Sequence, residues 1–102
     1  MSKHFNALTP AEAERLALLL EEMGEAQQMI GKILRHGYQS SHPNGGPTNR
    51  FQLCKEVGDV LVAIDMLVSK DDLDGTDIER FRSQKRVSVK QYLHHQNLNE
   101  IR

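Results

Sequence analysis

The stretch KEVGDVLVAIDML, residues 55–67, decides the fold. Val57, Val60, Leu61, Ala63, Ile64 and Leu67 recur at the three- and four-residue spacing that gives a helix an apolar side. Apolar residues run almost all round it, which predicts the central, most buried helix of the protein. Yet the run carries Glu56 and Asp59, three residues apart. At about 100° per residue these carboxylates fall roughly 60° apart, one turn along a shared face. Ala63, Met66 and Leu67 lie in or beside that sector, and Leu53 and Val60 flank it. Asp65 falls on the opposite side.

Working outward, this helix is expected to start near Thr48 or Asn49 and to run to about Lys70, where DDLDG breaks the chain. Before it lies GYQSSHPNGGPTN, residues 37–49, a loop by its Gly, Pro, Ser and Asn content. It is longer than the roughly two to eight residues usual between helices, which makes it either a functional loop or a plain connector. An earlier helix opens at TPAE. Thr9 is the N-cap, Pro10 suits the first helical position, and Glu12 completes a capping box. Leu16, Leu19, Leu20, Met23, Ile30, Ile33 and Leu34 continue it to about His36, with Gly37 as a left-handed cap. A third, more polar helix is expected from the Thr76–Glu79 capping pattern to roughly Asn97, with Phe81, Val89, Tyr92 and Leu93 as core candidates. No segment alternates as a strand does. The prediction is an all-α bundle of three main helices, one domain over 1–102 with its core at about 9–97, completed by oligomerisation.

Composition narrows the function classes. Thirteen basic and 14 acidic residues leave a net charge of -1, which gives no reason to expect nucleic-acid binding through bulk charge. A single cysteine, Cys54, rules out an intrachain disulfide framework and reads as a small core residue. The opening MSKHFNALTP holds no apolar signal core, and no run approaches transmembrane length. A soluble, cytoplasmic protein without a membrane partner is therefore expected.

The first helix repeats the acid spacing of the second. In LLLEEMGEAQQ, Glu22 and Glu25 stand three apart, and Glu21 precedes Glu25 by one turn. Gathering ionised carboxylates among apolar neighbours is costly, because each raises the pKa of the others. Such clusters persist where a cation neutralises them, and a hard cation such as Mg²⁺ takes carboxylate oxygens and often a phosphate-bearing substrate. Two helices, each offering a carboxylate pair, can build that site in a bundle. The plainer readings are a solvated glutamate face on the first helix and pairing with Lys or Arg across the bundle on the second. The residue pattern leaves both open.

Other chemistries fit less well. Aligning Gly75 with the invariant glycine of a calcium loop puts Lys70 and Phe81 at ligand positions, so DDLDGTDIE is no EF-hand. A di-iron bundle needs Glu-x-x-His pairs, and there are none. His42, His94 and His95 have no zinc-ligand spacing.

EEMGEAQQMIGKILRHGY followed by KEVGDVLVAIDML resembles the MazG-type family of all-α nucleotide pyrophosphohydrolases, and GKILRHGY is similar to its small stand-alone phage and prophage members. The likeness covers about residues 12–95, and its signature acids fall on Glu22, Glu25, Glu56 and Asp59, with Glu21 as the preceding acidic residue. About thirty residues separate Glu25 from Glu56, somewhat long for the family, with the excess in the Gly/Pro loop. The resemblance implies a hydrolase of phosphorus-containing acid anhydrides that takes a nucleoside triphosphate to a monophosphate and pyrophosphate. It implies Mg²⁺, with Mn²⁺ as a substitute, held by Glu22, Glu25, Glu56 and Asp59. Glu22 or Glu21 would orient or deprotonate the attacking water. Lys32 and Arg35 would bind phosphate, and Lys85, with Arg86 beside it, matches a downstream basic position. It also implies a homodimer or homotetramer. The competing class is a non-catalytic helical-bundle interaction or regulatory protein of phage origin, which would use the same apolar faces for association.

Overall fold

A computed structural model of the chain describes residues 5–97. Three α-helices run Pro10–His36 (α1), Asn49–Ser69 (α2) and Gly75–Ser88 (α3), followed by a short 3-10 turn at Val89–Gln91. No strand occurs among the described residues. The chain divides into two compact units, Met1–Asp72 and Leu73–Arg102.

The first unit is a hairpin of α1 and α2. Its helix ends are set by local chemistry. Thr9 Oγ1 accepts the Glu12 N–H at 3.1 Å, and Glu12 Oε1 accepts the Thr9 N–H at 2.8 Å, so the expected capping box forms with Pro10 behind it. Gly37 ends α1 with φ 89° and ψ 168°, a left-handed backbone that is extended rather than helical, and its N–H reaches Ile33 O at 2.7 Å. Thr48 caps α2 as expected. The end of α2 is a Schellman turn: Asp72 N–H bonds Leu67 O, Asp71 N–H bonds Val68 O, and Asp71 takes the positive φ of 61° that aspartate tolerates.

That turn fixes how the hairpin closes. It delivers Asp72 to Arg15 on the first turns of α1, where both guanidinium Nε and Nη2 donate to the carboxylate, the latter at 3.0 Å. At the other end, Asn49 Nδ2 donates to Gly37 O at 3.2 Å and Asn49 N–H donates to Ser40 O at 2.8 Å. The helices are thus antiparallel and tied at both ends by polar contacts. Between the ties lie Met29, Ala63 and Leu67, the buried apolar core.

The Arg15 hydrogen bond holds the Asp72 carboxyl below its usual 3.8. A carboxylate with a depressed folded pKa stabilises the fold above its unfolded pKa and loses that contribution as pH falls through the folded value. The wild-type protein is therefore expected to lose stability below pH 3.8, and Asp72→Asn to be less stable near neutrality with a shallower acid loss. Urea melts of both proteins from pH 6 down to pH 2 check this; parallel curves would sink it.

Two expectations for the hairpin need correction. Helix α2 is apolar nearly all round, but it is buried only along the stripe of Asn49, Ala63 and Leu67, while Phe51, Val57, Leu61 and Val62 are exposed. One packed neighbour can cover only one side of a helix. Cys54 is exposed rather than in the core, because it falls about 160° from Glu56 on the helical wheel.

In the second unit, Asp74 caps α3 by accepting the Thr76 and Asp77 N–H groups at 2.8 and 3.2 Å, two positions before the expected Thr76. Surface pairs Asp77–Arg80 and Glu79–Arg82 follow at 3.2 and 3.0 Å, each worth about 0–1 kcal/mol. The helix stops at Ser88, short of the expected Asn97, where Val87 and Val89 lower helix propensity and Tyr92 N–H bonds Val89 O. Phe81, Tyr92 and Leu93 are exposed, and Val89 is half-buried. Phe81 and Tyr92 instead carry cations over their rings, Arg80 at 5.1 Å and Lys85 at 5.9 Å.

Candidate metal centre

The hairpin brings both carboxylate pairs to one place. Glu22 and Glu25 on α1 and Glu56 and Asp59 on α2 each offer an oxygen, and these oxygens lie within 4.8 Å of one another. All four residues are half-buried. The antiparallel ties explain the alignment: with Arg15 set against Asp72 and Gly37 against Asn49, the middle of α1 faces the first half of α2.

Neighbouring groups only partly neutralise this charge. Lys55 Nζ bonds Asp59 Oδ2 at 2.8 Å and stands 3.7 Å from Glu56 Oε1. This lysine was missed in the sequence, although its spacing of four from Asp59 is the signal that finds such pairs. Its own pKa is raised, chiefly by the hydrogen bond to Asp59. Glu56 responds differently. Desolvation, a hydrogen bond shared with Glu25, and repulsion from Glu25 and Asp59 raise its pKa, while Lys55 opposes the rise. Glu22 Oε2 and Glu56 Oε2 are both buried without a hydrogen-bond partner. A buried carboxylate oxygen with no partner is costly, so the fold leaves electrostatic demand here that a cation would meet.

The donor set is all oxygen, which suits Mg²⁺ or Mn²⁺ better than zinc. The geometry therefore fits a hard divalent cation held by Glu22, Glu25, Glu56 and Asp59.

The remaining predicted site residues separate. Glu21 is exposed and is not among the four converging carboxylates. Lys32 and Arg35 are exposed further along α1 and border a shallow groove with Gly24, Gln28 and Gly31. Lys85 belongs to α3 in the second unit, beside Tyr92, and Arg86 stands 3.7 Å from Glu79. Asp65 is exposed, as its place opposite Glu56 predicts. No helix among the described residues is long and apolar enough to cross a membrane. Compared with known proteins, the chain matches no family model, no curated protein and no solved structure at a significant level.

Proposed function

We propose that this protein is a Mg²⁺-dependent nucleoside triphosphate pyrophosphohydrolase of the MazG-like kind that its acid motif resembles, converting ribo- or deoxyribonucleoside triphosphates to monophosphate and pyrophosphate. The observation that carries the reading is the convergence of four carboxylates within 4.8 Å, two of them with buried, unpartnered oxygens. Glu22, Glu25, Glu56 and Asp59 would hold the cation. Bound there, Mg²⁺ supplies positive charge for phosphate oxygens and lowers the pKa of a water. The chain's own groups do the rest. Glu22 accepts the proton as water attacks the α-phosphorus, with Glu21 at the rim as the alternative base. The bond from that phosphorus to the bridging oxygen breaks, and pyrophosphate leaves. Lys32 and Arg35 would receive phosphate charge along α1. Nucleotide pools place such an enzyme in the cytoplasm.

The test is pyrophosphate release from a panel of nucleoside triphosphates, with Mg²⁺, with Mn²⁺ and with chelator. Metal-dependent release from one or more nucleotides is expected. Absence of release from all of them, with no thermal shift on adding Mg²⁺, would move the assignment to a non-catalytic interaction protein.

The assembly belongs to the same proposal. Leu16, Leu20, Met23, Gln27, Ile30 and Leu34 recur at alternating spacings of four and three on α1, and all six are exposed. Leu20 and Leu34 reach 74% and 82% exposure. This is a coiled-coil seam lying beside the face that packs on α2. A second copy of α1 is its natural occupant, because a two-fold axis sets an uncharged heptad stripe against itself. The expected state is a homodimer or a homotetramer. Leu20→Glu is expected to convert it to monomer, read by light scattering after gel filtration, and an unchanged mass for that variant would sink the seam. The exposed stripe also supports the interaction-protein reading, so oligomeric state does not discriminate between the two; metal-dependent turnover does.

A further inference from the structure

A second polar site lies at the other end of the hairpin. The last turns of α1, the loop over 37–48 and the first turn of α2 enclose a cavity of about 280 Å³. Lys32, Arg35, His36, Ser40, Ser41 and His42 line it, and no carboxylate among the described residues does. In a chain of net charge -1, a pocket with this many potential cations and no acid is a marked local asymmetry.

The loop is built rather than loose. Ser40 O and Tyr38 O accept the Asn49 and Arg50 N–H groups at 2.8 and 2.9 Å, and the Arg50 guanidinium lies 4.8 Å from the centre of the Tyr38 ring. Gln52 Nε2 donates to Pro47 O at 3.3 Å, and Gly45 N–H donates to His42 O at 2.8 Å. These bonds use the first N–H groups of α2 and both side-chain amides of the pocket, Asn49 and Gln52. The six side chains named above supply the charged and hydroxyl donors of the pocket. Lys32, Arg35 and His36 make no hydrogen bond or ion pair among the described residues. The His42 Nδ1 accepts the Asn44 N–H at 3.1 Å, which leaves Nε2 as that ring's donor.

We infer that this pocket binds the phosphoryl group of a small anionic ligand without needing the carboxylate cluster or its cation, and that Lys32 and Arg35, offered above to substrate phosphate, are donors of this pocket whether or not the protein turns over nucleotide. Guanidinium, ammonium, imidazole and hydroxyl donors around an acid-free cavity match the charge and the many acceptor oxygens of a phosphate. The volume lies just below the roughly 300–1,000 Å³ of ligand sites, so it suits a phosphate with a small attached moiety. Lys32 and His36 lie seven and eleven residues beyond Glu25, about 10 and 16 Å along the helix axis. At a screening length of about 8 Å, an anion in the pocket is largely shielded from the carboxylates. The phosphoryl group has two sources, free phosphate as an effector or a second phosphate carried by a nucleotide.

The test is calorimetric titration of the full-length protein with inorganic phosphate in chelator, so that no divalent cation contributes. Saturable binding is expected in the wild type. Arg35→Gln and Lys32→Gln, both at exposed positions, should each weaken it about tenfold or more, the worth of a charge-assisted hydrogen bond. Glu56→Gln should bind phosphate as the wild type does, whether or not it turns over nucleotide. Circular dichroism confirms that each variant is folded. A nucleoside 3′-monophosphate that competes with phosphate and binds more tightly identifies a nucleotide-borne group; competition without tighter binding identifies free phosphate. Wild type that fails to bind phosphate overturns the inference, as does equal binding by Arg35→Gln and Lys32→Gln, or loss of binding in Glu56→Gln.

Discussion

Glu56→Gln is expected to cut Mg²⁺-dependent pyrophosphate release by about 10³-fold or more, since the lost ligand removes several kcal/mol of transition-state stabilisation. The same substitution should raise the stability of the metal-free protein. Its carboxylate is pushed toward the neutral form first by desolvation and then by Glu25, and one of its oxygens is buried without a partner. An amide of the same shape removes the charge and much of the repulsion. Saturating Mg²⁺ should reverse the order. A ligand at 100 times its Kd stabilises by about 2.7 kcal/mol, and the variant should forgo most of that gain. The measurements are initial rates with a saturating nucleotide and thermal melts in chelator and in Mg²⁺. Full turnover in the variant would sink the metal-centre assignment. A variant less stable than wild type in chelator would show that the carboxylate has a structural partner instead.

Leu67→Ala carries the largest expected effect on the fold. Leu67 is 0% exposed, and with Met29 and Ala63 it makes up the buried apolar core of the hairpin. Truncating a buried leucine removes transfer free energy and leaves a cavity, at a cost of about 2–5 kcal/mol. A domain of this size has about 5–15 kcal/mol in total, and each kcal/mol moves its Tm by about 4–8 °C. The variant should melt at least about 10 °C lower, or be unfolded at 37 °C. Leu61→Ala on the same helix is the contrast. Leu61 is 55% exposed, so its truncation should cost much less in the monomeric protein. Equal losses for the two, measured by urea melts on protein kept monomeric by Leu20→Glu, would mean that the α1–α2 core is drawn wrongly.

The difference between Leu67 and Leu61 shows where sequence reading stops. Both belong to the same apolar run, and helical periodicity assigns both to a buried surface. Within the first unit, α1 covers one stripe of α2, so burial follows from which side the hairpin closes on. Cys54 fails as a core residue for the same reason. Phe81 and Tyr92 were expected in a core because they are the large apolar groups of a polar segment, but each lies beside a cation on its own unit. In contrast, the carboxylate pairs were legible, since a spacing of three on a helix fixes a shared face before any tertiary contact forms. Lys55 was equally legible by that rule and was overlooked.

Local chemistry in the sequence determines the helices and most of their ends: the Thr9–Glu12 box, Pro10, Gly37, the Thr48 cap and the break after Lys70 all act within a few residues. It also determines that α1 and α2 each carry an acid pair on one face. That the two pairs meet was decided by tertiary structure alone. Arg15 on Asp72 and Asn49 on Gly37 set the register of α1 against α2, and a shift of one turn, about 5.4 Å, would part Glu22 and Glu25 from Glu56 and Asp59. The cationic pocket is likewise tertiary, because its donors come from a helix end and a loop that only the folded backbone of residues 37–50 brings together.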